Sequence, residues 1–374
     1  MSAAAVYGVA DSVRESFAPT YAEARARFLD TCTAHGVTPR AYDNPLPGPE
    51  GEALACDAAW FGREDARAVF VMLSATHGVE GFCGSACQLD WMRSGGAHQL
   101  ADPIAVLLVH AINPHGFAWL RRVTEEGCDL NRNYVDFDQP LPQNPGHDEL
   151  VHCFVPPTLE PQEIARAEAQ MQAWRGAHGE QAFQHARKAG QYKHAHSVFF
   201  GGFAPTWARR TLERIVADYD LPARAVTGIL DYHTGLGPFG YGEPICGHRA
   251  GSVGLRRVMQ MYGDSVGVPA LGTSASIPLH GTSRELWDRV LGDSYTYVAL
   301  EYGTYSPNEG LRALRADHWL HWKGEVHWHD ERTRRIKAGI RRQFFPDSAD
   351  WKEMVLWRSR QVQRQTLEGL ADLL

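Results

Sequence analysis

Behind the apolar run "AVFVML" (68–73), the stretch "SATHGVEGFCG" (74–84) sets His77 and Glu80 three positions apart in a Gly-rich turn. Three more polar clusters are expected after strands: "DLNRNY" (129–134), "DYHTG" around His233 and "LEYG" around Glu301. A catalytic zinc ion needs three side-chain ligands and one open position, and two His with one Glu is an established set. His77, Glu80 and His233 supply that set, for one Zn2+ per chain. Coordination lowers the pKa of a bound water to roughly 7, yet a nearby carboxylate must still take its proton and pass it to the leaving amine. Glu301 is the carboxylate at a strand end with no other evident task. Taken singly, a His-x-x-Glu pair is common, and His233 reads as a hydrogen-bonded structural histidine. Four polar clusters, each at the end of a different buried strand, are a poor arrangement for anything but a site, because such ends penalise unpaired charge.

Positioning these residues requires a sheet. "AVFVML" and "IAVLLVHAI" (104–112) are too continuously apolar for edge strands, and "AVTGILDYH" (225–233) and "SYTYVALEYG" (294–303) read as two more central ones. Helical spacing runs over 21–35, in "CGSACQLDWMRS" (83–94), over 163–176 and 206–219, and in a tail from about 350. Strand, Gly turn, helix and strand then place the His77 loop at a strand's carboxyl end, where open α/β sheets bind ligands. The Pro-rich text at 138–162 breaks regular structure. The expected fold class is therefore α/β, a twisted mixed sheet flanked by helices. Residues 1–374 form one catalytic domain, with a Pro-rich and helical insertion at about 138–205 over the site and a helical tail at about 350–374.

Composition narrows the partners. The 374 residues are 44% hydrophobic and 22% charged, which excludes a disordered chain, and the net charge of −7 offers no basic surface for nucleic acid or anionic membrane. No apolar run approaches the roughly 20 residues that span a bilayer, and no leader pattern is read at the start. Seven cysteines without a Cys-x-x-Cys pair suggest neither a disulfide framework nor a Cys-type zinc site, and the expected compartment is the cytoplasm.

The four clusters resemble those of the zinc carboxypeptidase superfamily of metallopeptidases, which includes aspartoacylase and succinylglutamate desuccinylase. "HGVE" is similar to its zinc motif, "DLNRN" to its Asn-Arg substrate motif, "DYHTG" to its second zinc histidine and "LEYG" to its catalytic glutamate. "INPHGFAWLRRVTEEGCDLNRNY" and "GQYKHAHSVFFGG" resemble more closely an uncharacterised bacterial branch of it, and the likeness covers about 65–305. The resemblance implies a carboxypeptidase-like fold, His77, Glu80 and His233 as zinc ligands, and Glu301 as general base and acid. It implies that Arg122 polarises the scissile carbonyl while Asn131 and Arg132 clamp a terminal carboxylate, with Arg121 the alternative to Arg122 as the inward-facing member. "GQYKH" makes Gln191 and Tyr192 candidate pocket residues. The family's substrate-facing tyrosine has no secure counterpart, and His280, Tyr241 and Tyr305 are its candidates.

The implied function is zinc-dependent hydrolysis of an amide or peptide bond next to a free carboxylate, on a small peptide or, alternatively, an N-acyl amino acid. A non-catalytic zinc or ligand-binding protein is the reading from another class. A serine hydrolase rests only on "GDSV" (263–266) and "GDSY" (292–295), without a Gly-x-Ser-x-Gly elbow. Apolar spacing in the tail leaves oligomerisation open.

Overall fold

The computed structural model describes residues 11–324 and 326–374. Seven strands form one mixed sheet: β1 (Arg40–Asp43), β2 (Ala55–Phe61), β3 (Ala68–Leu73), β4 (Ile104–His110), β5 (Val226–Phe239), β6 (Gly242–Cys246) and β7 (Tyr295–Gly303), in the order β1-β2-β4-β3-β5-β7-β6. The four strands expected from their apolar runs are the inner β4, β3, β5 and β7, which pair in parallel. Every residue of β3 and β4 is buried, as continuous apolar runs require when both faces are covered. β1, β2 and β6 lie outside these runs in the sequence reading and join antiparallel at the two sides.

Side-chain alternation divides the core in two. Phe70, Met72, Val106, Leu108, Leu230 and Leu300 point to one face, packed by the helices Tyr21–Ala34, Gly81–Arg93 and Ala349–Ala371. Val69, Val71, Leu107, Val109 and Ile229 point to the other, packed by the helices Trp207–Asp218 and Ser283–Leu291. The tail thus packs on the sheet of its own chain through Trp351, Val355, Val362 and Leu370.

The Pro-rich segment differs from expectation. Pro145–Phe154 is an α-helix, because Asn144 caps it by accepting from the His147 N–H and Pro145 stands in the first turn, where no amide donor is needed. The helices Pro161–His178 and Glu180–Lys188 follow. All seven cysteines are buried and unbridged, and no described helix is long and apolar enough to cross a membrane.

Candidate metal centre and substrate cavity

The sheet order creates the site. From β3 the chain goes to β4 on one side, while β5 lies on the other, so a crevice opens at the carboxyl ends of β3 and β5. Ser74 leaves β3 with its hydroxyl accepting from the Ala111 N–H at 2.9 Å, and Ala75 adopts a left-handed φ of 60°. The turn then docks on the segment 116–122: Gly78 N–H donates to the Arg122 carbonyl at 3.2 Å and Val79 N–H to the Arg121 carbonyl at 2.8 Å. Glycine is required there, since a Cβ on Gly78 would stand 2.1 Å from the Gly116 carbonyl carbon. Glu80 ends this turn as the helix Gly81–Arg93 begins.

On the opposite wall, His233 of β5 pairs in register with Glu301 of β7. Two strands that are distant in sequence thereby set the imidazole and the carboxylate side by side. One nitrogen or oxygen from each of His77, Glu80 and His233 lies within 4.8 Å of the others. His77 Nδ1 is 3.1 Å from Glu80 Oε1 and 3.2 Å from His233 Nδ1, and His233 Nδ1 is 3.4 Å from Glu80 Oε2. Ligands at about 2.0–2.1 Å from a tetrahedral zinc would be separated by about 3.3–3.4 Å, so the spacing and the donor set fit that ion.

Each histidine is backed by an aspartate absent from the sequence reading. Asp129 Oδ1 lies 3.0 Å from His77 Nε2 and accepts from the Asn131 N–H at 3.0 Å, while Oδ2 receives the Arg122 guanidinium. Asp231 Oδ2 lies 3.1 Å from His233 Nε2 at an angle that makes no hydrogen bond, and its Oδ1 accepts from the Thr76 hydroxyl at 2.7 Å. Carboxylates behind the outer nitrogens leave both Nδ1 atoms facing the centre, the arrangement that orients metal-binding imidazoles. The signal was present: each aspartate stands in a quoted motif, the first residue of "DLNRN" and of "DYHTG".

Charge is balanced unevenly here. Burial opposes ionisation of Glu80, but His77, His233 and Arg122 outweigh it and hold its carboxyl well below the ordinary range. Burial raises Glu301, the negative charge of Glu80 raises it further, and its pKa reaches about 7. His233 shows the reverse contest, in which burial disfavours the cation yet Asp231 and Glu80 push the imidazole well above its usual value.

These groups face a cavity of about 350 Å3, lined also by Arg122, Asn131, Arg132, Phe199, Tyr297 and the segment Ser276–Leu279. Arg122 is the inward member of its pair, 3.5 Å from Glu80 Oε1 and 5.1 Å over the Phe199 ring. Arg121 turns away, its Nε 3.1 Å from Asp317 in a buried cluster with Lys337, which corrects the expectation that it contacts substrate. Arg132 lies 5.6 Å over the same Phe199 ring. Asn131 Oδ1 accepts from the Ser283 N–H at 2.9 Å.

Tyr192 and His280 stay off the cavity wall. The Tyr192 hydroxyl donates to the Arg132 carbonyl at 2.6 Å, so it supports Arg132 from behind, and His280 is exposed. Gln191 is spent on its own loop, donating to the His194 carbonyl, while Tyr241 is exposed and Tyr305 stacks against Arg342. Neither Ser265 nor Ser294 lines the cavity, and the Ser265 hydroxyl donates to the Tyr262 carbonyl at 2.9 Å. Phe199, held at a left-handed φ of 55°, stands in the quoted "GQYKHAHSVFFGG" with no role assigned to it there, and the Arg187–Lys188 pair is a part of the cavity wall that no motif marked.

Among solved structures, the fold is similar to carboxypeptidase A from Helicoverpa armigera, at TM-score 0.50 and 12% identity over 94% of this chain and 73% of that one. A succinylglutamate desuccinylase from Chromobacterium violaceum is similar at TM-score 0.36 and 16% identity, over 86% of this chain and 74% of that one. The murein-tripeptide amidase MpaA from Escherichia coli O157 is similar at TM-score 0.33 and 15% identity, over 78% of this chain and 93% of that one. The fold is thus carboxypeptidase-like, as the motif resemblance implied. No curated protein sequence matches the chain. A family model described as protein of unknown function DUF2817 matches residues 17–358, so the chain belongs to the DUF2817 family.

Proposed function

We propose that this protein is a zinc-dependent hydrolase that cleaves an amide bond next to a free carboxylate. The observation that carries the reading is the convergence of His77, Glu80 and His233 at tetrahedral spacing beside Glu301, on the wall of a cavity that also displays Arg122 and Arg132. Zinc held by those three residues would supply a Lewis acid that polarises the scissile carbonyl and acidifies water.

The remaining work falls to the chain's own groups. Leu236 N–H donates to Glu301 Oε1 at 3.0 Å, which fixes the carboxylate and leaves Oε2 to take a proton from the attacking water. That proton is then delivered to the leaving nitrogen as the C–N bond breaks. A pKa lifted by burial and by Glu80 suits an acid–base group that must act in both directions near neutrality. Arg122, immobilised by Asp129 and Glu80, presents a fixed positive charge where the carbonyl oxygen becomes negative. Arg132 gives three of its donors to the Lys188 and Asn131 carbonyls, which leaves one N–H on each terminal nitrogen for a substrate carboxylate.

A cavity of about 350 Å3 lies at the small end of the roughly 300–1,000 Å3 range of ligand sites. This favours a dipeptide or an N-acyl amino acid over a long peptide, and makes N-acyl amino acid deacylation the second reading of the same chemistry. The test is a panel of both substrate types with the zinc-loaded protein. Glu301→Gln should lower kcat by at least about 10²- to 10⁴-fold with zinc retained. Amidation of the terminal carboxylate should lower kcat/KM by about 30-fold or more, and Arg132→Ala should abolish that preference. Near-normal turnover by Glu301→Gln, or equal cleavage of free and amidated substrates, would refute the assigned roles.

A further inference from the structure

Glu301 stands near the carboxyl end of β7, and Tyr295, the first residue of that strand, lies six positions before it. At about 3.3 Å per residue the two are about 20 Å apart. Around Tyr295 a second pocket opens, bounded by His248, Ser252 and Gly254 from the segment after β6 and by Asp288 and Asp293 from the segment before β7. Only His248 and Arg249 line both this pocket and the main cavity, so His248 is a partition with the metal centre on its far side.

His248 is 5% exposed. Its Nε2 accepts from the Tyr297 N–H at 3.0 Å, which puts the ring proton on Nδ1, and burial lowers its pKa to about 4, so the ring is neutral at pH 7. That Nδ1–H donates to nothing among the described residues, and the protein does not seal it off. Glycine brings it to a helix end: a Cβ on Gly254 would stand 2.3 Å from His248 Nδ1, in the first turn of the helix Val253–Tyr262. The Ser252 hydroxyl caps that helix by accepting from the Leu255 N–H at 3.1 Å, and the Val253 and Gly254 amides remain free. An orphan imidazole N–H, free helix-end amides and the exposed Arg249 together suit a carboxylate.

The opposite segment supplies the other sign. Asp288 is occupied, with Oδ1 receiving the Tyr295 hydroxyl at 2.5 Å and Oδ2 the Arg284 guanidinium. Asp293 has its carbonyl held by Arg257, while its carboxylate has no ion pair among the described residues. A simple anion would confront Asp293, and a simple cation would confront Arg249. A molecule that carries a carboxylate and an ammonium on one carbon answers both.

We infer that this pocket binds a free α-amino acid, its carboxylate on the His248 Nδ1–H, the Gly254 amide and Arg249, and its ammonium on Asp293. None of these groups has a part in the proposed hydrolysis, so the two readings stand independently.

Titration calorimetry on the full-length protein compares L-alanine with propionate, which lacks the ammonium, and with ethylamine, which lacks the carboxylate. Alanine should bind at least about tenfold tighter than either. Asp293→Asn and Arg249→Gln, both at exposed positions, should each weaken alanine by about tenfold or more, and Gly254→Ala should do the same by pushing a methyl into the imidazole. Arg132→Ala separates the pocket from the main cavity, and alanine should bind that variant as it binds the parent. Alanine binding lost in Arg132→Ala but kept in Asp293→Asn and Arg249→Gln would put the amino acid beside the metal centre and overturn the assignment. Propionate bound as tightly as alanine, or no measurable binding of alanine, overturns it as well. Turnover without alanine binding refutes only the pocket, whereas alanine binding without turnover of any amide refutes only the hydrolase.

Discussion

Replacing Asp129 by Asn tests whether the carboxylate behind His77 sets the metal centre. The side chain is fully buried and serves three donors: Oδ1 faces His77 Nε2 at 3.0 Å and the Asn131 N–H at 3.0 Å, and Oδ2 receives Arg122. An amide of the same shape has only one acceptor. If its oxygen faces His77, its NH2 confronts the Arg122 guanidinium; if it flips, the NH2 confronts the imidazole N–H. One of the two contacts is lost in either orientation, and so is the negative charge that favours metal on the far nitrogen. Loss of a partner behind a metal-bound histidine typically costs about 10- to 100-fold in affinity. At about 1.4 kcal/mol per decade this is about 1.4 to 2.8 kcal/mol. The assay is zinc competition against a chromophoric chelator at fixed pH, together with a chemical denaturation curve of the metal-free variant to confirm folding. A folded Asp129→Asn protein that binds zinc as tightly as the parent would show that His77 is oriented by its loop alone, and that Asp129 serves only Arg122.

Metal uptake should depend on pH through His233, whose pKa lies well above the ordinary imidazole value once Asp231 and Glu80 overcome the effect of burial. A raised folded-state pKa stabilises the metal-free protein below the unfolded value near 6.5, and that contribution fades as pH rises through the raised value. Zinc competes with the same proton, so its affinity should climb over that alkaline window with proton release; calorimetry at pH 7 in buffers of different ionisation enthalpy showing no proton release would contradict it. Gly78→Ala drives a methyl to 2.1 Å from the Gly116 backbone and should cost about 1–3 kcal/mol of stability with weakened zinc binding, measured by urea unfolding and chelator competition; a neutral effect would show that the turn has room to move. Asp317→Ala strips the carboxylate from Lys337 at 2.6 Å and Arg121 at 3.1 Å, both buried. It should cost about 3–5 kcal/mol in the same unfolding assay, and a loss below about 1 kcal/mol would mean that the cluster is solvated.

The residues that meet at the centre could be read from the sequence because each ends a run of buried apolar residues, and such runs can be little else than inner strands. "AVFVML" spans Ala68–Leu73 without change, and the helix expected at 21–35 is Tyr21–Ala34. What could not be read is adjacency: nothing local says that β5 lies against β7, and that pairing alone brings His233 to Glu301. β2, in "ACDAAWF", escaped notice because alanine and a buried Asp57 dilute its apolar signal, although Arg25 neutralises that aspartate at 2.7 Å. The helix Pro145–Phe154 was hidden by prolines whose weight depends on position, since Pro145 begins the helix where Pro140 and Pro142 precede it. Tyr192 and Arg121 went astray for a related reason. A side chain's residue type does not reveal which side of the backbone it leaves from, and here both leave towards supporting contacts.

Phe199 joins two parts of the molecule that have different histories of constraint. Its ring covers Arg122, which belongs to the loop docked on the metal turn, and Arg132, which is held by the Lys188 carbonyl at the end of the helical segment. The strand ends that bear His233 and Glu301 are locked by sheet register, whereas Arg187, Lys188 and Phe199 come from a connection that crosses above them. The groups proposed to break the bond and those proposed to recognise substrate are thus mounted on separate supports that meet at one aromatic face. Changes in length or composition between 145 and 200 can alter what the cavity admits while the sheet keeps its machinery in place. A lineage of such proteins can diverge in diet without rebuilding its teeth.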